Sequence, residues 1–189
     1  MNNPVLLWCT SRSRSSLVAK IFINHGLWWG DECRESFGYP TFENQNIKAL
    51  IKSYKRNIWK IQAKQLAPAD ANFIDELKSI VPNDRQWMFK CGAEYFQPFQ
   101  ALEPFNIFIK RNLEDAVRSV CAKHGAISTD DARDIIQWRY NFMDTMRKLQ
   151  GGMLVDTDRL MAKDFSQIKK AIEYCGLTFS AEKTLQAFV

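Results

Sequence analysis

Two short stretches carry residue types that could hold an anion. The first, Thr10-Ser11-Arg12-Ser13-Arg14-Ser15-Ser16, interrupts an apolar run ending at Cys9 and is followed by helical spacing. A strand, a loop and a helix in that order aim several backbone N–H groups and the positive end of the helix dipole at one spot, which suits a phosphate or sulfate. The loop adds the guanidinium groups of Arg12 and Arg14 and the hydroxyls of Ser11, Ser13, Ser15 and Ser16. A polar strand-to-helix turn with serine caps is the other use of the same residues.

The second stretch, Ile107-Phe108-Ile109-Lys110-Arg111-Asn112-Leu113-Glu114-Asp115-Ala116-Val117-Arg118-Ser119, again reads as a strand running into a helix. Arg111 at the strand end can offer a forked donor pair, and Ser119, about two turns into the helix, can reach the same anion. Pairing of Arg111 with Asp115 is the alternative.

Positioning them requires strands and helices in alternation. Four short apolar runs read as buried strands: Val5 to Cys9, Trp87 to Lys90, Asn106 to Ile109 and Met153 to Val155. Helical patterns cover about 15–25, 46–64, 72–81, 94–102, 113–124, 130–149 and 165–175, with a short one near Ala181; residues 27–45 read as loop. Over 130–149, Ala132, Ile135, Ile136, Phe142, Met143, Met146 and Leu149 read as one core-facing stripe. His25 and His124 precede glycines and read as helix-end residues. This alternation predicts an α/β fold, a three-layer domain with a mostly parallel central sheet flanked by helices, in a single domain over 1–189.

The 189 residues, 46% hydrophobic and 13% aromatic, are those of a folded chain large enough to bury a core. A formal charge of +5 suits an anionic partner, but Lys and Arg are dispersed without a run of like charge. That favours a small anionic ligand over nucleic acid. Five cysteines (Cys9, Cys33, Cys91, Cys121, Cys175) in an odd number, without a C-x-x-C pair, argue against a disulfide framework or a zinc site and for a reducing compartment. With the first strand starting at Val5 there is no room for a signal peptide, and no stretch reaches ~18 apolar residues. The expectation is a cytoplasmic protein.

A nucleoside-triphosphate loop would read G-x-x-x-x-G-K-[ST], and residues 10–16 contain neither glycine nor lysine. They resemble instead the phosphosulfate-binding loop of the sulfotransferase family, T-x-P-[KR]-S-G-[TS]-[ST], with Ser11 for the proline and Arg14 for the glycine. A left-handed backbone at Arg14 would cost roughly 1 kcal/mol. Residues 107–119 are similar to the family's 3′-phosphate site, [VI]-x-R-[DN]-P-x-[DE]-x-[VA]-x-S, with Leu113 for the proline and the family's spacing from Arg111 to Ser119. Weaker likenesses lie at Gly30-Asp31 with Gly38 to Glu43, at Leu154 to Leu160 beside a Y-E-D-L strand end, and at Ile172 to Leu177.

The resemblance implies a P-loop-type domain that moves a sulfuryl group from 3′-phosphoadenosine 5′-phosphosulfate (PAPS) to a hydroxyl or amine of a small-molecule acceptor, without a metal. It implies a donor site made of Ser11, Arg12, Ser13, Arg14, Ser15, Ser16, Arg111 and Ser119, with Arg12 also the catalytic cation. One branch of the family uses a His two residues after a strand-end Lys; Gly92 follows Lys90-Cys91 here. Glu43 best matches the carboxylate base of other branches, with Asp31 and Glu94 as further candidates. The family's C-terminal R-K-G-x-x-G segment has no match. Trp28, Trp29, Phe37, Tyr39 and Phe42 fall in the loop expected to border the acceptor, which implies an apolar or aromatic acceptor unless they only pack the loop. A kinase-like transferase with Asp156 or Asp158 on Mg²⁺, a non-catalytic binder of anionic ligands and a nucleic-acid accessory protein are the competing readings.

Overall fold

The four apolar runs become strands because both of their faces are covered, which leaves no polar side to alternate with. The computed structural model describes residues 3–30, 35–36, 39–58, 71–92, 99, 102–125 and 127–189. Along the chain these hold β1 (Val5–Cys9), α1 (Ser15–Asn24), β2 (Glu35–Ser36), β3 (Tyr39–Pro40), α2 (Gln45–Ile58), α3 (Ala71–Ile80) and β4 (Met88–Gly92). Then follow β5 (Phe105–Lys110), α4 (Leu113–His124), α5 (Thr129–Gln150), β6 (Met153–Asp156), α6 (Thr157–Met161), α7 (Ser166–Tyr174) and α8 (Ala181–Gln186).

The sheet is four-stranded and all-parallel in the order β4-β1-β5-β6. Side chains alternate between its faces. Leu6 and Trp8 of β1, Phe89 of β4 and Phe108 of β5 enter one core with Ile47 and Ile51 of α2, Phe73 and Leu77 of α3, Val117 of α4 and Met143 of α5. Val5 and Leu7, Met88, and Ile107 and Ile109 enter the other with Val18 and Phe22 of α1, Leu160 of α6 and Ile168 and Ile172 of α7. The result is a three-layer α/β domain, as the alternation predicts. Among the described residues no helix is long and apolar enough to cross a membrane.

Three expectations change. Within the predicted loop 27–45, β2 and β3 form a short antiparallel pair and Trp28 bridges to Trp87. The helix over 157–161 is additional to the sequence reading; Asp156 caps it, accepting from the backbone N–H of Asp158 at 2.8 Å and of Arg159 at 3.4 Å. The core stripe of α5 is Ala132, Ile136, Tyr140 and Met143, while Ile135 is 46% and Leu149 75% exposed. Tyr140 is turned in because its hydroxyl accepts from the Arg111 N–H at 3.1 Å and donates to the Arg111 carbonyl at 2.9 Å, so the phenol is satisfied where it is buried. The predicted helix over 94–102 and the end of that over 46–64 lie mostly outside the described residues.

Candidate functional site

The loop between β1 and α1 leaves the carboxyl end of the sheet beside β1. The chain pairs β1 with β4 on one flank and with β5 on the other, so the strand order reverses at β1. Ligands in open α/β sheets settle at such a reversal. Arg12 and Arg14 are both in the left-handed region, with φ 63° and 58°. Ser13 closes the turn between them, its hydroxyl donating to the Thr10 carbonyl at 2.9 Å. Successive N–H groups in such a turn make a concavity suited to an anion. Arg14 is the N-cap of α1 without a side-chain capping bond, and the first turn carries no acidic residue, so nothing within the helix offsets its dipole.

This loop forms one side of a cavity of about 920 Å³, within the range typical of ligand pockets. Across it stand the residues of the second stretch. Arg12 Nε donates to Ser119 Oγ at 2.8 Å, and an Arg111 Nη1 donates to the Arg12 carbonyl at 3.5 Å. The floor holds Lys90, buried midway along β4, whose Nζ donates to Ser16 Oγ at 3.0 Å. Arg111 is held by its backbone through Tyr140, and burial pushes the Tyr140 phenol up, which keeps it protonated as a donor. The Arg111 side chain is 15% exposed, with Asp115 and Asp158 each 3.8 Å away, and its Nε is buried without a hydrogen-bond partner.

Asp158 ties three loops together. Its Oδ1 accepts from Arg14 Nη1 at 2.5 Å and stands 3.8 Å from Arg111 Nε, while Oδ2 accepts from the Asn112 N–H at 2.6 Å. Asp115 is shared between Arg118, whose hydrogen bond holds its carboxyl below the usual range, and Arg111.

The structure brings most of the expected site residues together. Ser11, Arg12, Arg14, Ser15, Ser16, Arg111, Ser119 and Glu43 all line the cavity. Ser13 is buried with its hydroxyl turned to Thr10 and is not part of that wall. Glu43 faces the cavity beside Thr41 and is paired with Lys48 of α2. Asp31 and Glu94 lie outside the described residues. The described aromatics of the 27–45 segment pack inward: Trp28 joins the core around Trp87, and Trp29 meets Phe42 edge-on at 5.3 Å. Phe37 and the Tyr39 side chain lie outside the described residues. His25 ends α1 as expected, its Nδ1 bonded to the Ile21 carbonyl and its Nε2 accepting from the Ser180 N–H at 3.1 Å.

Sequence reasoning passed over Lys123 and Arg139, which line the same cavity, and Asp158 as an organiser. Lys123 had a signal, since it stands one helical turn beyond Ser119 on the same face of α4. With them the wall carries, among the described residues, six cationic side chains, Arg12, Arg14, Lys90, Arg111, Lys123 and Arg139, and one carboxylate, Glu43. Such a wall attracts a multiply charged anion. Compared with known proteins, the chain matches no family model and no curated protein.

Proposed function

We propose that the cavity binds PAPS and that the protein is a sulfotransferase acting on a hydroxyl or amine of a small acceptor. The observation that carries this reading is the meeting of the two anion-directed stretches, with Arg12 Nε on Ser119 Oγ at 2.8 Å and Arg111 on the Arg12 carbonyl. A ligand with two separated anionic groups needs two such clusters facing one cavity, and a single polar turn does not. The residues fit the donor on a further point. Arg111 keeps a buried Nε without a hydrogen-bond partner, and a phosphate oxygen near it would satisfy that donor.

The donor supplies an activated sulfuryl group when bound. The α1 N–H groups, Arg12 and Lys90 are set to hold its phosphosulfate end, and Arg111 and Ser119, with Lys123 and Arg139 behind them, its 3′-phosphate. Charge grows on the bridging oxygen during an in-line displacement, so a cation already aimed there lowers the barrier without reorganisation. Arg12 is that cation, held ready by Ser119. Glu43 is the group that takes the acceptor's proton, with Lys48 orienting its carboxylate. Asp156 and Asp158, which a kinase-like reading would assign to Mg²⁺, are engaged in capping α6 and in binding Arg14 and the Asn112 N–H.

The test is calorimetric titration with adenosine 3′,5′-bisphosphate. Micromolar binding, about −8 kcal/mol, is expected for the wild type, with loss in Arg111→Ala and no competition from ATP. Absence of binding, or a preference for ATP, overturns the reading. Once binding holds, Glu43→Gln should leave that affinity unchanged and remove transfer by ~10²-fold or more.

A further inference from the structure

The longest described helix, α5, presents a second apolar line along the edge of the core, where Phe142 and Met146 pack against the buried cluster and Ile135, Trp138 and Leu149 are left exposed. Ile135, Trp138, Phe142, Met146 and Leu149 follow one another at intervals of three and four residues, the spacing of a seam between paired helices. Trp138 is 58% exposed and stacks on Phe142 with ring centroids 5.8 Å apart, and Ile135 and Leu149 are exposed as well. The line is symmetric about Phe142. Ile135 and Leu149 stand seven residues to either side of it, Trp138 and Met146 four.

We propose that this face is the contact of a two-fold dimer of the chain, α5 lying antiparallel against α5 of a second copy. About the two-fold axis Phe142 meets its own copy, Ile135 meets Leu149, and Trp138 meets Met146, so every apolar side chain finds an apolar partner. An isologous contact demands that self-complementarity. The flanking charges select the antiparallel arrangement. Asp134 and Lys148 are exposed at the two ends of the line, next to Ile135 and Leu149. Antiparallel pairing sets each Asp134 against the Lys148 of the other copy and Asn141 against Asn141; parallel pairing would set like charge on like charge. The proposal is independent of the functional reading above.

Sedimentation velocity of the full chain across a wide concentration range tests it. The wild type is expected to be a reversible dimer. Asp134→Lys should weaken it about tenfold by turning two favourable contacts into repulsions, and Asp134→Lys with Lys148→Asp should restore it. Trp138→Glu should be monomeric throughout. A wild type that stays monomeric, or a dimer indifferent to Asp134→Lys and to Trp138→Glu, overturns the proposal. Should Trp138→Glu fail to fold by circular dichroism, the charge-swap pair decides alone.

Discussion

Replacing Asp158 by asparagine removes a charge beside the cavity while keeping the shape of the side chain, and the structure gives the sign of each consequence. The amide would still offer an oxygen to the Asn112 N–H, now bonded at 2.6 Å, so the β5–α4 turn should hold. What is lost is the ionic part of the contact with Arg14, 2.5 Å between atoms whose side chains are 29% and 34% exposed. At that exposure the loss is about 1 kcal/mol of stability. Ligand binding moves the other way. An anion on the far side of the Arg111 guanidinium lies about 7 Å from the carboxylate, where two unit charges interact by about 2.4 kcal/mol at an effective dielectric near 20 and about 0.6 kcal/mol in water. With a third of the side chain exposed the working figure is about 1 kcal/mol, so Asp158→Asn should bind adenosine 3′,5′-bisphosphate about fivefold more tightly, an advantage that fades with added salt. Asp158→Ala removes the same charge and also the acceptor for Asn112 and the anchor of Arg14. It should lose about 2–3 kcal/mol of stability and bind more weakly than wild type. Chemical denaturation and calorimetric titration read the two quantities separately. Equal weakening of binding in the two variants would refute the reasoning, because the charge itself and not the side chain's geometry would then be aiming Arg111.

Arg14, at φ 58°, should distinguish strain from contact: Arg14→Gly and Arg14→Ala both lose the Asp158 pair, but glycine also relieves the left-handed backbone, so the glycine variant should be more stable by about 1 kcal/mol in urea titration. His25→Ala, which removes a buried ring bonded to the Ile21 carbonyl and to the Ser180 N–H, should cost about 2–3 kcal/mol and raise hydrogen exchange chiefly in α8, since α8 is the element it tethers. In Asp164 the hydrogen bonds from Ser166, with Arg159 beside them, bring the carboxyl down to about 2. A depressed acid stabilises the fold above its unfolded value and loses that contribution as pH falls through the folded one, so Asp164→Asn should flatten the fall in stability between about pH 4 and pH 2.

How much of this was legible depended on whether a residue's environment is set by its neighbours in the chain. Val5–Cys9 could be read to the residue because a strand buried on both faces is a continuous apolar run bounded by polar residues. The start of β4 was less sharp: Trp87 has the composition of a strand residue, but its partner is Trp28, far away in sequence, through an isolated bridge. The arginines of the two stretches were legible as neighbours, because a strand end and a strand-to-helix loop on adjacent parallel strands open on the same edge of the sheet. Arg139 was not, since its relevance appears only when α4 packs on α5 and turns it toward the loop after β1, and Lys123 had only its place one turn beyond Ser119. The aromatic residues near Phe42 left two readings open for the converse reason. An aromatic cluster in a loop is equally suited to a pocket wall and to a core, and tertiary packing took Trp28 and Trp29 inward.

Arg12 and Arg14 are where local preference and fold disagree most. Glycine would hold both left-handed positions at no steric cost, whereas an L-residue with a side chain meets a penalty of about 1–2 kcal/mol at each. Such strain persists only where surroundings over-determine it. Each arginine here is tethered from a different part of the chain, Arg12 by Ser119 of α4 and Arg14 by Asp158 of α6. Neither tether is needed to connect β1 to α1, because a serine-capped turn without positive φ would do that. Two arginines held in strained backbone, with both guanidinium groups fixed beside one cavity, are what the proposed anion-binding role of the loop would require. Placing glycine at position 14 should make the loop more comfortable and leave it less well fastened to Asp158 of α6.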